Sequence, residues 1–479
     1  MNGWYCSFLF IFSLFLVSCS SSKETSPEQV DKPNVLLINI DDLGWKDVGF
    51  MGSKYYQTPN LDQLAQVSVR FTHAYAGAAN CAPSRACLMS GQQTTRHGIY
   101  TVGDPDRGHE KTRKLISTPN ADSLAGSFIT LAEVLKGNGY ETATMGKWHL
   151  GHVPQSQGFD TNVGGTIVGH PKSYFSPYKN PNLTDGPEGE YLTDRITDEA
   201  LSFIEDNKDR PFFLYLPYFT IHTPLQGKED LVEKYKGIPG VEGQGKNPNY
   251  AAMIETMDAG VGRILQKIEE LNLDNTLIIF TSDNGGISNL SRQHPLRAGK
   301  GSYYEGGIRV PFLVYWKDKG LKARLSETPI TNLDIYPTIL ELLDISAPDN
   351  YVLDGQSIAS HLLNETPIAE RGLFWHFPIY LQAYRVGGDE SRDSLFRTRP
   401  GTVMRKGKWK LHEYFEDGGL ELYDLDADPG ETNNLAESMP DRTKALHAEM
   451  KQWRKEMDAP VPTELNPTYE AGFRPKRKR

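Results

Sequence analysis

The apolar positions of this chain gather into short continuous runs separated by amphipathic stretches. Asn34 to Ile40, NVLLINI, is apolar almost throughout and stops at Asp41 and Asp42. A run without polar alternation predicts a strand buried on both faces, ending in a polar loop. Similar runs recur at Phe212 to Leu216 and Thr276 to Phe280, and between them Leu61 to Val67, Ile129 to Gly137, Asp198 to Asp206 and Tyr250 to Leu271 are amphipathic at helical spacing. Strands alternating with helices predict an α/β sheet covered on both faces. Asp354-Gly355-Gln356-Ser357 and the proline-bearing stretch to Pro367 read as a boundary. Beyond it, Gly401 to Tyr414 and Leu420 to Leu425 predict antiparallel strands, and Met439 to Met457 a closing helix. No internal repeat is present.

At 479 residues the chain is long for one core and suits a large catalytic domain with a smaller companion. Its net charge of -10 argues against a general nucleic-acid binder, because phosphate contacts favour a basic surface. An anionic substrate remains compatible with it, since a basic pocket can sit in an acidic protein. Near the start, Ser7 to Val17 is an apolar run short for a bilayer span, and Leu16-Val17-Ser18-Cys19 follows in the manner of a bacterial lipobox. The expectation is a leader over residues 1–18, cut before a Cys19 that carries N-palmitoyl and S-diacylglycerol groups. A polar tether over 19–32 would then anchor an exported protein to a bacterial membrane, facing the periplasm or the exterior. A plain secretory leader cut nearby, or an N-terminal anchor, are the alternatives. With Cys6 and Cys19 so assigned, only Cys81 and Cys87 remain, and two cysteines six residues apart do not make a disulfide scaffold.

Several loops carry candidate chemistry. Asp41 and Asp42 place two carboxylates beyond the carboxyl end of a strand, where open α/β sheets bind ligands, although an Asp there is often only a helix cap. Asp283 and Asn284 end a second strand with two more hard oxygens before a Gly pair; alone they read as a solvated turn. Together the two strand ends point to a shared divalent ion, with Ca2+ or Mg2+ favoured over Zn2+ by the oxygen donors. Lys147 and His149, two apart, could offer a cation and a proton carrier to one anion. His222 follows another strand end, where it could protonate a leaving group, and Lys300 stands in a Gly-rich turn that lets a cation approach closely. Each of these alone is as well explained by an ordinary loop residue. Asp424, Asp426 and Asp428 alternate like an EF-hand loop, but Pro429 and Leu435 occupy the positions of its glycine and bidentate glutamate, so they read as an acidic turn. The basic end Pro475 to Arg479 reads as a solvated tail.

The stretch Asn80 to Gly91, NCAPSRACLMSG, sets a cysteine before a helix. Pro83 is favoured in a first turn, which puts Cys81 at or just before the helix N-terminus. Unpaired N–H groups and the helix dipole there stabilise negative charge, and Arg85 can lie on the same face. An unmodified thiol in such a cradle would have a lowered pKa and could serve as a nucleophile or redox thiol.

Cys81-Ala82-Pro83-Ser84-Arg85 resembles the Cys-x-Pro-Ser-Arg signature of type I sulfatases, the formylglycine enzymes of the alkaline-phosphatase-like superfamily. INIDDLGW, MGKWHLG, IHTPL, FTSDNGG, GKGSYYEGGIRVP and LYDLDADPGETNNLA also match in the family's order, so the resemblance covers nearly all of the mature chain. It implies an alkaline-phosphatase-like fold: a mixed, mostly parallel sheet sandwiched by helices in a catalytic domain over 33–365, and a smaller α+β subdomain on an antiparallel sheet over 366–479. It implies that a dedicated maturation enzyme oxidises Cys81 to Cα-formylglycine (3-oxoalanine) before the chain folds. One hydroxyl of the hydrated aldehyde would then attack sulfur, and collapse of the other would release sulfate. Position by position, Asp41, Asp42, Asp283, Asn284 and residue 81 resemble the ligands of one Ca2+. Arg85 and Lys147 would stabilise the diol and its oxyanion, His149 would take a proton from the second hydroxyl, His222 would protonate the leaving oxygen, and Lys300 would hold the sulfate.

The activity so implied is removal of sulfate from a carbohydrate, a polysaccharide-derived oligosaccharide attacked from its end. Arg107, His109, His170 and His376 are read as loop residues that could recognise the sugar. A phosphate or phosphonate ester hydrolase of the same superfamily is one rival reading, and a lipid-anchored glycan-binding protein without catalysis is another. The sequence gives no sign of the oligomeric state.

Overall fold

The computed structural model describes residues 1–4, 32–241 and 245–475. The leader core, Cys19, most of the tether and residues 476–479 of the basic tail lie outside the described residues. From Pro33 onward the chain forms one compact unit.

Nine strands make the main sheet: β1 (Asn34–Ile40), β2 (Val69–Tyr75), β3 (Glu141–Met145), β4 (Thr161–Val163), β5 (Phe212–Pro217), β6 (Thr276–Ser282), β7 (Arg309–Tyr315), β8 (Arg324–Ser326) and β9 (Ile330–Thr331). Their order is β4-β3-β5-β1-β6-β7-β2-β8, with β9 also on β2. All neighbours are parallel except β7, which runs antiparallel to both β6 and β2, so the sheet is mixed and mostly parallel. The three apolar runs become β1, β5 and β6, side by side at the centre. They read as unbroken hydrophobic sequence because each is covered twice. Leu36, Ile38 and Ile40 enter one core with the helices Leu192–Asp206 and Pro248–Glu270, whereas Val35 and Leu37 enter the other with Cys81–Ser90, Leu131–Gly137 and Ile335–Leu342.

The second sheet is antiparallel, in the order β10-β13-β14-β15, from β10 (Gly372–Phe377), β13 (Gly401–Lys406), β14 (Trp409–Tyr414) and β15 (Gly419–Asp424). A small ribbon of β11 (Leu381–Gln382) and β12 (Phe396–Thr398) precedes β13. The helix Pro440–Glu456 packs on the second sheet through Leu446 and Met450. The stretch read as a boundary is not a loose linker: Asp354 accepts the Gln93 N–H and pairs with Arg96, and Ile358 and Leu362 belong to the core of the first sheet.

A buried ionic cluster joins the two sheets. Glu305 accepts from Tyr75 of β2 at 2.8 Å and pairs with Arg309 of β7 at 3.4 Å. Lys410 of β14 reaches Glu305 at 2.9 Å and Glu431 at 3.0 Å. Among the described residues no helix is long and apolar enough to cross a membrane.

Candidate functional site

The site lies at the carboxyl ends of the central strands, where the polypeptide leaves the sheet. Asp41 and Asp42 follow β1 and Asp283 and Asn284 follow β6; the parallel register sets Ile40 opposite Ser282, so the two pairs emerge together. Backbone bonds lock them: the Asp283 N–H donates to Ile40 O at 3.0 Å, and the Asp42 N–H donates to Asp283 Oδ1 at 3.1 Å. Ligand atoms of Asp41, Asp42, Cys81 and Asp283 all lie within 4.8 Å of one another and all four residues are buried. Asn284 donates its amide to Asp42 Oδ1 at 2.8 Å while its own Oδ1 is buried without a hydrogen-bond partner. Three carboxylates converging on one point, with a buried, orphaned amide oxygen on the neighbouring Asn284, fit a hard divalent cation, because such groups are costly to bury unless paired or coordinated.

Cations surround this acidic point. Lys147 Nζ meets both oxygens of Asp41 at 2.8 Å, Lys300 Nζ lies 2.7 Å from Asp42 Oδ2, and Arg85 Nε lies 2.8 Å from Asp283 Oδ2. Burial pushes the Asp41 carboxyl up to about 7 despite Lys147. Burial also opposes ionisation of Asp42, but there Lys300, His222 and Lys147 win and hold it below the usual carboxylate range. His222 Nε2 faces Asp42 at 3.8 Å, and its Nδ1 is 2.8 Å from Thr223 O. Burial and then Lys300 lower the His222 ring to about 3, and His149 is depressed by burial and Lys147.

Cys81 is the first residue of the helix Cys81–Ser90, with Asn80 as N-cap and Pro83 in the first turn, as the sequence predicts. Its Sγ is 3.6 Å from Asp41 Oδ1, and Arg85, one turn on, crosses the site to Asp283. The expected lowering of the thiol pKa is reversed: burial pushes Cys81 up to about 12, outweighing Lys147 and Lys300. A helix end stabilises a thiolate, but here the same helix end is sealed from water and faces carboxylates. Cys87 is a packed thiol, 3.5 Å from His97 Nε2.

Comparison with known proteins decides what this centre belongs to. The sulfatase family model matches residues 33–345, and the model described as N-sulphoglucosamine sulphohydrolase, C-terminal, matches 299–457. A sulfatase of Formosa agariphila is 32% identical, over 94% of each chain. The chain belongs to the sulfatase family. Human N-acetylgalactosamine-6-sulfatase is 28% identical over 90% of this chain and 87% of its own. The crystal structure of Ps i-CgsB in complex with k-i-k-neocarrahexaose superposes with a TM-score of 0.72 at 31% identity, covering 91% of this chain and 95% of that one.

The remaining candidates in this sulfatase divide. Arg107 and His170 line a pocket of about 330 Å3 with Cys81, His149, His222 and Lys300, and the His170 ring stacks on His222 at 6.1 Å between centres. His109 does not reach it: it accepts the Lys111 N–H at 3.3 Å, packs on Phe473 and faces a separate, larger groove. His376 is corrected outright. It lies in β10, not a loop, and is fully buried with Thr402 and Pro460 as partners, so it cannot touch a sugar. The acidic turn is confirmed as such, Asp428 accepting the Thr432 and Asn433 N–H groups at 2.8 Å. Sequence reasoning missed Tyr384 and Arg397, which join the pocket wall from just after β11 and from β12. Nothing local marks them; only the fold brings residue 397 beside residue 300.

Proposed function

We propose that this sulfatase removes sulfate from a sulfated carbohydrate, using Cys81 as Cα-formylglycine and one Ca2+ held by Asp41, Asp42, Asp283 and Asn284. The observation that carries the reading is the convergence of the Asp41, Asp42 and Asp283 carboxylates with Cys81 at one buried point, beside the unpartnered Asn284 Oδ1 and ringed by Arg85, Lys147, Lys300, His149 and His222. The sugar substrate is supported by the N-acetylgalactosamine named for one relative and the neocarrahexaose bound by another. When bound, the ion supplies Lewis acidity to sulfate oxygens, and the hydrated aldehyde supplies a hydroxyl nucleophile with a built-in exit.

The chain's own residues then take separable tasks. Arg85 Nη2 is buried without a hydrogen-bond partner and, with Lys147, serves the oxygen atoms on residue 81. His149 Nδ1 is likewise unpartnered, and its ring is clamped by Gly169, where a Cβ would come within 2.1 Å of it; this His accepts the second hydroxyl proton. His222 commits Nδ1–H to Thr223 O, leaving Nε2 for the leaving oxygen; burial, with Lys300 and Lys147, keeps the ring neutral, and a bound sulfate offsets the lysines' share. Lys300 holds the sulfate beside it. The pocket, at about 330 Å3, is at the small end of ligand sites, which run from about 300 to 1,000 Å3, and suits one terminal sugar, hence exo action. Lipidation at Cys19, with attachment to a bacterial membrane and a formylglycine-generating partner, belongs to the same proposal and is supported by the sequence before residue 32 and around Cys81.

Mass analysis of the peptide containing Cys81, from protein made with a maturation enzyme, tests the core claim alongside desulfation of defined oligosaccharides. The expected result is an aldehyde at residue 81 and turnover of a chain-end sulfate ester. Recovery of only an alkylatable thiol in active protein would overturn it, and paired aryl sulfate and aryl phosphate substrates separate sulfatase from phosphatase action.

A further inference from the structure

Three cations around the acidic centre are each matched by a carboxylate, Lys147 by Asp41, Lys300 by Asp42 and Arg85 by Asp283. Two arginines on the pocket wall are not. Arg397, in β12, is 6% exposed, yet it donates to the carbonyls of Gln382, at 2.9 Å from Nε, and Lys300, at 3.1 Å from Nη1. Its guanidinium lies 3.6 Å from the centre of the Tyr384 ring, which fixes its plane. Arg107 is half-buried and donates Nη2 to Val102 O. Neither forms an ion pair with a described carboxylate. Burial and the charge of Arg397 together depress the Arg107 pKa, with Tyr384 and Asp104 acting against them, so the two guanidiniums lie within each other's field. Holding like charges together away from water costs free energy that an anion between them would recover.

We propose that Arg107 and Arg397 form a second anion site, so that the preferred substrate carries another anionic group, a sulfate or a uronic acid carboxylate, close to the sulfate ester that is cleaved. The proposal rests on the sulfatase reading of the pocket and names its substrate class more closely. The planar guanidinium suits either anion, since both offer the paired oxygens that its fork of donors matches. Arg397 is anchored through the carbonyl of Lys300, the residue assigned to the scissile sulfate, so the spacing between the two anions is set by the backbone. That spacing selects by where the second charge sits on the sugar as well as by its presence.

The test measures binding and turnover separately. Three oligosaccharides share one scissile sulfate and differ in the neighbouring group: neutral, sulfated, or uronate. Calorimetric titration of Cys81→Ala protein, which cannot be matured, should show about tenfold to a hundredfold tighter binding of one or both anionic forms than of the neutral one. Preference for the sulfated or the uronate form identifies which anion the site takes. In Arg107→Gln and Arg397→Gln proteins that preference should collapse toward unity, and formylglycine-matured protein should show the same pattern in kcat/KM. Equal binding of all three forms, or a preference that survives both substitutions, overturns the second anion site. Selective binding without turnover of any sulfate ester by matured wild type would leave the anion site standing and overturn the catalytic reading beneath it.

Discussion

Asn284 shows how one residue reports the purpose of the centre. Its amide nitrogen is committed to Asp42 and Gly285 O, and its oxygen has no hydrogen-bond partner although it is buried. Elemental analysis is expected to find one divalent ion per wild-type chain, with affinity falling about tenfold or more in Asn284→Ala. Chelation should lower the melting temperature of the wild type more than that of the variant; a variant with unchanged affinity would place Asn284 outside the ligand set. His376 carries a different expectation. Its Nε2–H goes to Pro460 O at 2.8 Å, and its Nδ1 lies 2.9 Å from Thr402 Oγ1, which also accepts from Arg454 at 3.1 Å, so a cation stands close to the ring. Burial holds its pKa at about 4. The unfolded ring protonates near 6.5, so this stability is complete above about pH 6.5 and is lost as pH falls toward 4, on the order of 3 kcal/mol in all. Urea unfolding at pH 7 and pH 4.5 should show the loss, and His376→Gln should reduce the difference between them. That the sequence placed His376 at the pocket and left Arg397 unnoticed has one cause. Residue type signals chemistry, but direction and depth are set by pairings made hundreds of residues away.

At the scale of elements, the legible strands are the doubly covered β1, β5 and β6 and the antiparallel stretches that form β13, β14 and β15. β1 occupies the predicted Asn34 to Ile40, and β6 runs two residues past the predicted Phe280. β3, ETATM, carries a mixed pattern and β7, RVPFLVY, an apolar run interrupted by Pro311, and both emerge through their neighbours, β3 against β5 and β7 between β6 and β2. The turn after β3 is decided by Gly146, at φ +124, where a Cβ would stand 2.0 Å from Pro217 O. The next N–H, that of Lys147, donates to the same carbonyl at 2.7 Å, which aims the lysine at Asp41. Gly146→Ala should therefore cost at least about 2 kcal/mol in stability and lower activity as well, because Lys147 must shift. Thermal melting and turnover measured on the same preparation check both; an unperturbed melt would show that the turn can relax without moving β5.

Across the whole molecule, the ionic cluster of Tyr75, Glu305, Arg309, Lys410 and Glu431 ties the second sheet to the first. Removing one partner of a buried pair costs about 3–5 kcal/mol, so a protein ending at residue 365 should be insoluble or lack cooperative unfolding. A soluble fragment with a sharp transition would show that the first sheet stands alone. Tyr384 and Arg397, beyond that point, complete the pocket wall, whereas Cys81 and the acidic residues come from helix and strand ends of the first sheet. Chemistry is thus carried by the first sheet and part of the appetite by a later length of the chain, with Arg107 and His170 supplying the rest from the earlier one. Exchange of the ribbon around residues 380–398 between relatives would alter which sugars are accepted while the sulfate-cleaving centre passes through untouched, a route by which one catalyst can diversify its diet.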